Sequence, residues 1–266
     1  MLRRPRIFTL LLCLVGTTVA YSNVVVDGVT LGERELIKGV EVFNARKDKV
    51  RIIHAIHESE IGGNIEVVLK NVLHFDQICN NRYKRRRTMS DRSADCKFRS
   101  PHLVETKIIK KVKPHGQKLL GEIDRWFLKR VAFNRGTYRQ NELVTIQKMV
   151  KDNAIQYIVT MRLLSNDEAG KYVDSPLDSN SPFDEVISKF VLTAKGDSKT
   201  TIKSYYTSKT DHFILRSSMA LGKLYDSVAE GNALSVKAIQ QGVEAHQEAL
   251  KQSLAAESVA LKKKTK

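Results

Sequence analysis

Cysteine is scarce in this sequence. Cys13, Cys79 and Cys96 are the whole complement. Cys13 falls in the N-terminal segment read below as a leader, so a multi-bridge framework of the kind that holds small secreted domains together is excluded. The remaining pair, Cys79 and Cys96, forms either one disulfide or two free thiols, and an oxidising compartment favours the disulfide. Long apolar runs are scarce as well. The one clear example, IFTLLLCLVG at residues 7–16, is too short to cross a bilayer, and no membrane span is expected. Acceptor sites for N-glycosylation are missing, because Asn180-Ser181 runs into Pro182.

Several catalytic signatures are absent. There is no Gly-x-Ser-x-Gly elbow and no phosphate-binding glycine loop. His54 and His57, with Glu58 beside them, suggest a metal at first sight. On a strand, however, residues three apart point to opposite faces, and the helical His-Glu-x-x-His spacing is not met. No metal and no cofactor is expected. Cys79 could be drawn as a nucleophile with a histidine, but a disulfide accounts for it better. The chain reads as a non-enzyme.

What is present begins with Arg3, Arg4 and Arg6 ahead of the apolar run, followed by the small residues Thr18-Val19-Ala20. This is the pattern of a signal peptide over residues 1–20, cut near Ala20 or Ser22, and it predicts a secreted or luminal protein. The formal charge of +16 falls to about +13 without the leader's arginines. Such an excess attracts polyanions, or merely keeps a basic protein soluble. The sharpest basic run is RYKRRR, where Arg82, Lys84, Arg85, Arg86 and Arg87 lie between Cys79 and Cys96. It reads as a site for sulfated glycans or an acidic protein surface, as a cleavage site for basic-specific proteases, or as a solvated loop. A nucleic-acid partner is not expected, since only Tyr83 interleaves with the charges.

Organisation along the chain suggests two copies of one plan. ELIKGVEVFNAR carries Leu36, Ile37, Val40 and Phe43 at helical spacing, which predicts a helix over 34–46. EIDRWFLKRVAFNR has the same character and predicts a second helix over 122–134. Each is followed by β-like runs: KVRIIHAIH and NIEVVLKNVLHF after the first, ELVTIQKMV and AIQYIVTMRLL after the second. ESEIGGN, residues 58–64, reads as the hairpin between the first two runs, because paired glycines suit a tight turn. After a polar excursion, each copy ends in further strands: HLVETKIIKKVK in the first, EVISKFVLTAK and TTIKSYYT in the second. The expected fold is α+β: two tandem units at 21–120 and 121–212, each a helix cradled by an antiparallel sheet, with a helical tail at 213–266.

The order helix, strand, glycine turn, strand, cysteine, excursion, cysteine, strand and proline turn resembles the cystatin fold. The closest local match is CKFRSPHLVETKIIKKVKPHGQ, residues 96–117. The resemblance covers residues 24–118, and residues 121–208 match it only in pattern. It implies a disulfide from Cys79 to Cys96 and a wedge that plugs papain-like cysteine proteases. In this chain the wedge comprises Gly28 in the N-terminal segment, Glu58, Ile61, Gly62 and Gly63 at the first turn, and Pro114 and His115 at the second. Glu58 stands where the family has Gln, and His115 where it has Trp, which implies weak or retargeted inhibition. The tandem arrangement also resembles latexin, which would make the chain a metallocarboxypeptidase inhibitor. A scaffold that binds glycans or proteins through its basic surface is the remaining alternative.

Overall fold

The computed structural model describes residues 24–264, apart from 33, 76–77, 81–97, 101–102, 134–136, 213–214 and 216–217. A small hairpin, β1 (Val25–Val26) and β2 (Val29–Thr30), comes first. The strands β3 (Arg34–Ile37), β4 (Val40–Lys47) and β5 (Val50–Gly62) follow, and then helix α1 (Ile65–Val72). Two short parallel strands, β6 (Ile78–Asn80) and β7 (Phe98–Ser100), precede β8 (Leu103–Ile109). The long strands β9 (Glu122–Phe133), β10 (Thr137–Lys151) and β11 (Ala154–Leu164) lead to a one-turn helix, α2 (Asn166–Ala169). β12 (Glu185–Lys195), β13 (Lys199–Thr210) and the 47-residue helix α3 (Ser218–Lys264) complete the chain.

One antiparallel sheet takes strands from both halves of the sequence, in the order β3-β4-β5-β13-β12-β11-β10-β9-β8. The join is β5 against β13, a twelve-pair ladder from Gly62↔Lys199 to Arg51↔Thr210. This overturns two tandem cystatin-like units and the resemblance that suggested them. A cystatin unit needs its own helix inside its own sheet. Here the segments expected to be those helices, 34–46 and 122–134, are β3–β4 and β9. Lys38 and Gly39, at φ 52° and 79°, form the tight turn between β3 and β4, a left-handed pair that an α-helix cannot contain.

Helical spacing misleads in these strands because the sheet is covered on both sides. Val40 and Val42 face α3, packing with Tyr225, Val228 and Ala229. Phe43 points the other way, into a cluster with Leu31 and Ile52 that the β1–β2 hairpin closes. In β9, Trp126 and Leu128 face the helices, while Phe127 joins Leu143, Leu164, Ala169 and Tyr172 on the outer face under the 165–173 segment. Each fully buried aliphatic or aromatic side chain contributes about 1.5–3 kcal/mol, so both layers hold the strands between them.

The stretch ESEIGGN corrects a further expectation. It does not turn one strand into another: β5 runs on to Gly62, and 65–72, read as a strand, is α1. The Asn64 side chain accepts a hydrogen bond from Val67 N at 3.0 Å and so caps the helix. Ile65, Val68, Leu69 and Val72 then share the buried helical face. Gly63 is required by a close approach, since a Cβ there would lie 2.7 Å from Val243 Cγ1 on α3.

Helix α3 runs across the inner face of the sheet. Asn232 hydrogen-bonds Ser204 in the middle of β13, and Gln247 Nε2 donates to Gly62 O at 2.9 Å where β5 ends. Beyond that point Leu250 and Leu254 are exposed.

Candidate functional site

The residues of the expected protease wedge do not converge. Gly28 turns β1 into β2 on the outer face of β4 and β5. Pro114 and His115 follow β8, the strand at the far edge. β8 is the sixth strand from β5 in the sheet. Glu58 is paired with Lys203 at 3.3 Å, Ile61 is buried in the main core, and Gly62 and Gly63 lie against α3. His115 packs edge-on against Tyr172, ring centroids 5.3 Å apart. With its parts spread over the sheet, the inhibitor reading and its papain-like partner are corrected. The latexin-like variant falls with the tandem fold. Arg82, Lys84, Arg85, Arg86 and Arg87 lie outside the described residues, as does Cys96, and the glycan-binding alternative gains no support. Cys79 sits in β6, opposite Arg99.

His54 and His57 do point to opposite faces of β5. His54 is buried on the outer face, its Nδ1 2.8 Å from Thr207 Oγ1. His57 is half-buried on the helix side, where Ser204 Oγ donates to its carbonyl. Burial holds both imidazoles below their usual pKa, which keeps them neutral near pH 7.

The inner face is largely apolar. Strand pairing arranges it in rows. One row runs Trp126, Val144, Met161, Ser188, Tyr206, Ala55. The next row toward the ends of β9 and β11 begins Ile108, Leu128, Glu142, Leu163. The row beyond holds Thr106, Arg130 and Gln140. A charged pair therefore stands on the apolar face.

Its surroundings are well defined. Arg130 Nε lies 3.3 Å from Glu142 Oε2, and both side chains are largely buried. Gln140 Nε2 donates to Glu142 Oε1 at 2.6 Å. Arg130 Nη2 reaches Met161 Sδ at 3.8 Å, and the guanidinium sits 5.5 Å from the centre of the Phe75 ring. Phe75 in turn meets Trp126 edge-on at 6.4 Å. Yet Arg130 Nε, Glu142 Oε2 and Thr106 Oγ1 are buried with no aligned hydrogen bond among the described residues.

Further along the same face Tyr206 keeps part of its surface accessible, although its strand is at the centre of the sheet. Burial pushes its phenol above the usual range; a hydrogen bond with Ser208 opposes this, and the negative Glu142 adds to it. The arrangement brings a guanidinium, a carboxylate and the Thr106 hydroxyl beside Phe75, Leu128 and Met161, with the Tyr206 phenol farther along the face.

No known family model matches the sequence, and no curated protein does. Among solved structures, human STARD10 aligns over 85% of this chain and 77% of its own, at 12% identity and a TM-score of 0.45. A STAR-related lipid transfer protein from Xanthomonas axonopodis aligns over 82% of this chain and 99% of its own, at 12% identity and a TM-score of 0.41. Human StAR-related lipid transfer protein 5 gives 82%, 87%, 13% and 0.39. None of the three is a cystatin. Likenesses this distant assign the chain neither a family nor a function, and its reading rests on the inner face of its own sheet.

Proposed function

We propose that this chain is a non-catalytic binding protein for a small amphipathic molecule. The ligand lies between the sheet and α3, its apolar body against Phe75, Leu128 and Met161 and its polar group on Arg130 and Glu142. One observation carries the reading: a buried ion pair whose facing atoms, Arg130 Nε and Glu142 Oε2, lack hydrogen bonds among the described residues. Taking two charges out of water costs several kcal/mol each, and proteins normally recover this by saturating them with hydrogen bonds. The guanidinium and the carboxylate already face one another at 3.3 Å, and a polar group from outside would complete their hydrogen bonding. A carboxylate, hydroxyl or carbonyl on the ligand would accept from the guanidinium, and a hydroxyl would also donate to Glu142. The basic leader with its short apolar core supports a secreted or luminal location.

The test is fluorescence titration with cis-parinaric acid, a carboxylate on a long apolar chain. The expected result is saturable binding near one molecule per chain, displaced by oleate. In the variant Arg130→Met with Glu142→Leu, binding of the acid falls about tenfold or more, as loss of a charged hydrogen bond implies. Absence of saturable binding to the native protein would end the reading, and so would equal affinity of native and variant chains.

A further inference from the structure

Several of the exposed aliphatic side chains gather at one end of the sheet, apart from Val25, Leu36 and Leu234 elsewhere. Leu119 and Leu120, 47% and 86% exposed, lie in the loop between β8 and β9. Val150 and Ile155, 73% and 38% exposed, face each other at the tip of the β10–β11 hairpin. The two sites adjoin: Gln147 Nε2 donates to Leu120 O at 2.8 Å, and Lys148 N donates to Gly121 O at 2.8 Å. Glycine is needed at 121, at φ 72°, because a Cβ would stand 2.6 Å from Lys148 O. The leucine loop is therefore laid tightly along the end of β10. Helix α3 leaves the sheet at this same end, beyond Gly62, with Leu250 and Leu254 bare.

The charge around this apolar end is mostly basic, with Asp152 as an exposed acid at the hairpin tip. From Lys107 to Lys118 the chain KIIKKVKPHGQK contains five lysines and no carboxylate. Lys113 is paired with Asp174; Lys111 and Lys118 are exposed in the segment that carries the leucines, and Lys151 is exposed in the hairpin next to Asp152.

We propose that this end of the sheet docks on an anionic lipid bilayer, with Leu119, Leu120, Val150 and Ile155 entering the interface and Lys111, Lys118 and Lys151 on the headgroups. Apolar insertion together with basic flanks is what interfacial binding requires. A second copy of the chain is the less suitable occupant. A two-fold interface would place the lysine loop against itself, and the repulsion of like charges would oppose burial of the leucines. The proposal goes beyond the interior binding site and shares no residue with it.

The experiment is flotation of the whole chain with vesicles of phosphatidylcholine, and with vesicles of phosphatidylcholine and phosphatidylserine. Capture by the phosphatidylserine vesicles should be greater by about tenfold to a hundredfold, since each basic residue at an anionic surface adds up to about fivefold. Leu119→Ser with Leu120→Ser should lower capture about tenfold, and Lys111→Ser with Lys118→Ser and Lys151→Ser should remove the preference for phosphatidylserine. All five positions are exposed, so circular dichroism and melting should match the native chain. Equal capture by both vesicle types would overturn the proposal. Capture that the leucine changes leave intact would reduce it to charge attraction and overturn it too. A dimer in sedimentation that the leucine changes dissolve would transfer the surface to a second copy. The Arg130→Met, Glu142→Leu variant should still float, which separates failure here from failure of the interior reading.

Discussion

Arg130 Nε stands 3.3 Å from Glu142 Oε2 on the apolar face that the helices cover. The two residues come from adjacent strands, two residues out of direct register: Glu142 lies opposite Leu128, and Arg130 opposite Gln140. The pair therefore reaches diagonally, and the slant explains why the atoms approach without an aligned hydrogen bond. Gln140 holds the other carboxylate oxygen in place.

The pair's effect on stability separates a structural role from a binding role. Removing one partner, as in Arg130→Met, strands a buried charge and should cost about 3–5 kcal/mol. Removing both, as in Arg130→Met with Glu142→Leu, should be neutral or stabilising by about 1–4 kcal/mol, because apolar side chains of similar volume need no desolvation. Urea denaturation of the three proteins measures this. A double variant as unstable as the single one would mean that the pair is retained for the fold rather than for a ligand.

A second prediction concerns acid. Glu168, in α2, accepts from both terminal nitrogens of Arg162, one at 2.9 Å. That hydrogen bonding, with the positive Arg162 and Lys171 nearby, holds the carboxyl below its usual pKa against a smaller opposing effect of burial. A depressed folded value means that the unfolded chain binds the proton more tightly. The contribution is thus complete above the ordinary glutamate value and is lost as pH falls through the folded one. The side chains are about a third exposed, so the gain at neutral pH is about 0.5 kcal/mol. Glu168→Gln should melt slightly below the native chain at pH 7, and the gap should close on acidification. A gap that widens toward low pH would contradict the assignment.

Much of the sheet is legible in the sequence, and the reasons for the rest are physical. AIQYIVTMRLL alternates cleanly because Tyr157, Val159, Met161 and Leu163 share one face, and it is β11. EVISKFVLTAK and TTIKSYYT likewise read as strands and are β12 and β13. VEVF and RWFL fail this reading. The neighbours Val42 and Phe43, or Trp126 and Phe127, are buried on opposite faces beneath covers that come from distant parts of the chain. Adjacent apolar residues then imitate a helix. The reverse error occurs at 65–72, where Ile65, Val67 and Leu69 alternate, yet the Asn64 cap and the packing of Val68 and Val72 make a helix. The ion pair had one available signal. With EIDRWFLKRVAF taken as a strand, Arg130 falls on the face of Trp126 and Leu128, a charge where an apolar residue is due. Its partner, twelve residues away, becomes visible only with the β9–β10 register.

The paired glycines of ESEIGGN supply the last prediction, because they are not equivalent. Gly62 closes β5 opposite Lys199, and a Cβ built on it meets nothing within 4 Å. Gly63 donates its N–H to Ser198 O at 2.7 Å and accepts from Thr200 Oγ1 at 2.9 Å, so its backbone is fixed from two sides. A Cβ on it would lie 2.7 Å from Val243 Cγ1, and Val243 is fully buried. The clash can be relieved only by moving α3 away from α1 or by breaking the two hydrogen bonds. Gly63→Ala should therefore cost about 1–3 kcal/mol, as overpacking of a close-packed core does. Gly62→Ala should stay within about 0.5 kcal/mol of the native chain. Combining Gly63→Ala with Val243→Ala tests the cause directly. If the approach to Val243 is what makes residue 63 a glycine, the two changes together should cost less than the sum of their separate costs, by about 1 kcal/mol in a double-mutant cycle. Strict additivity would locate the need for glycine elsewhere in the junction.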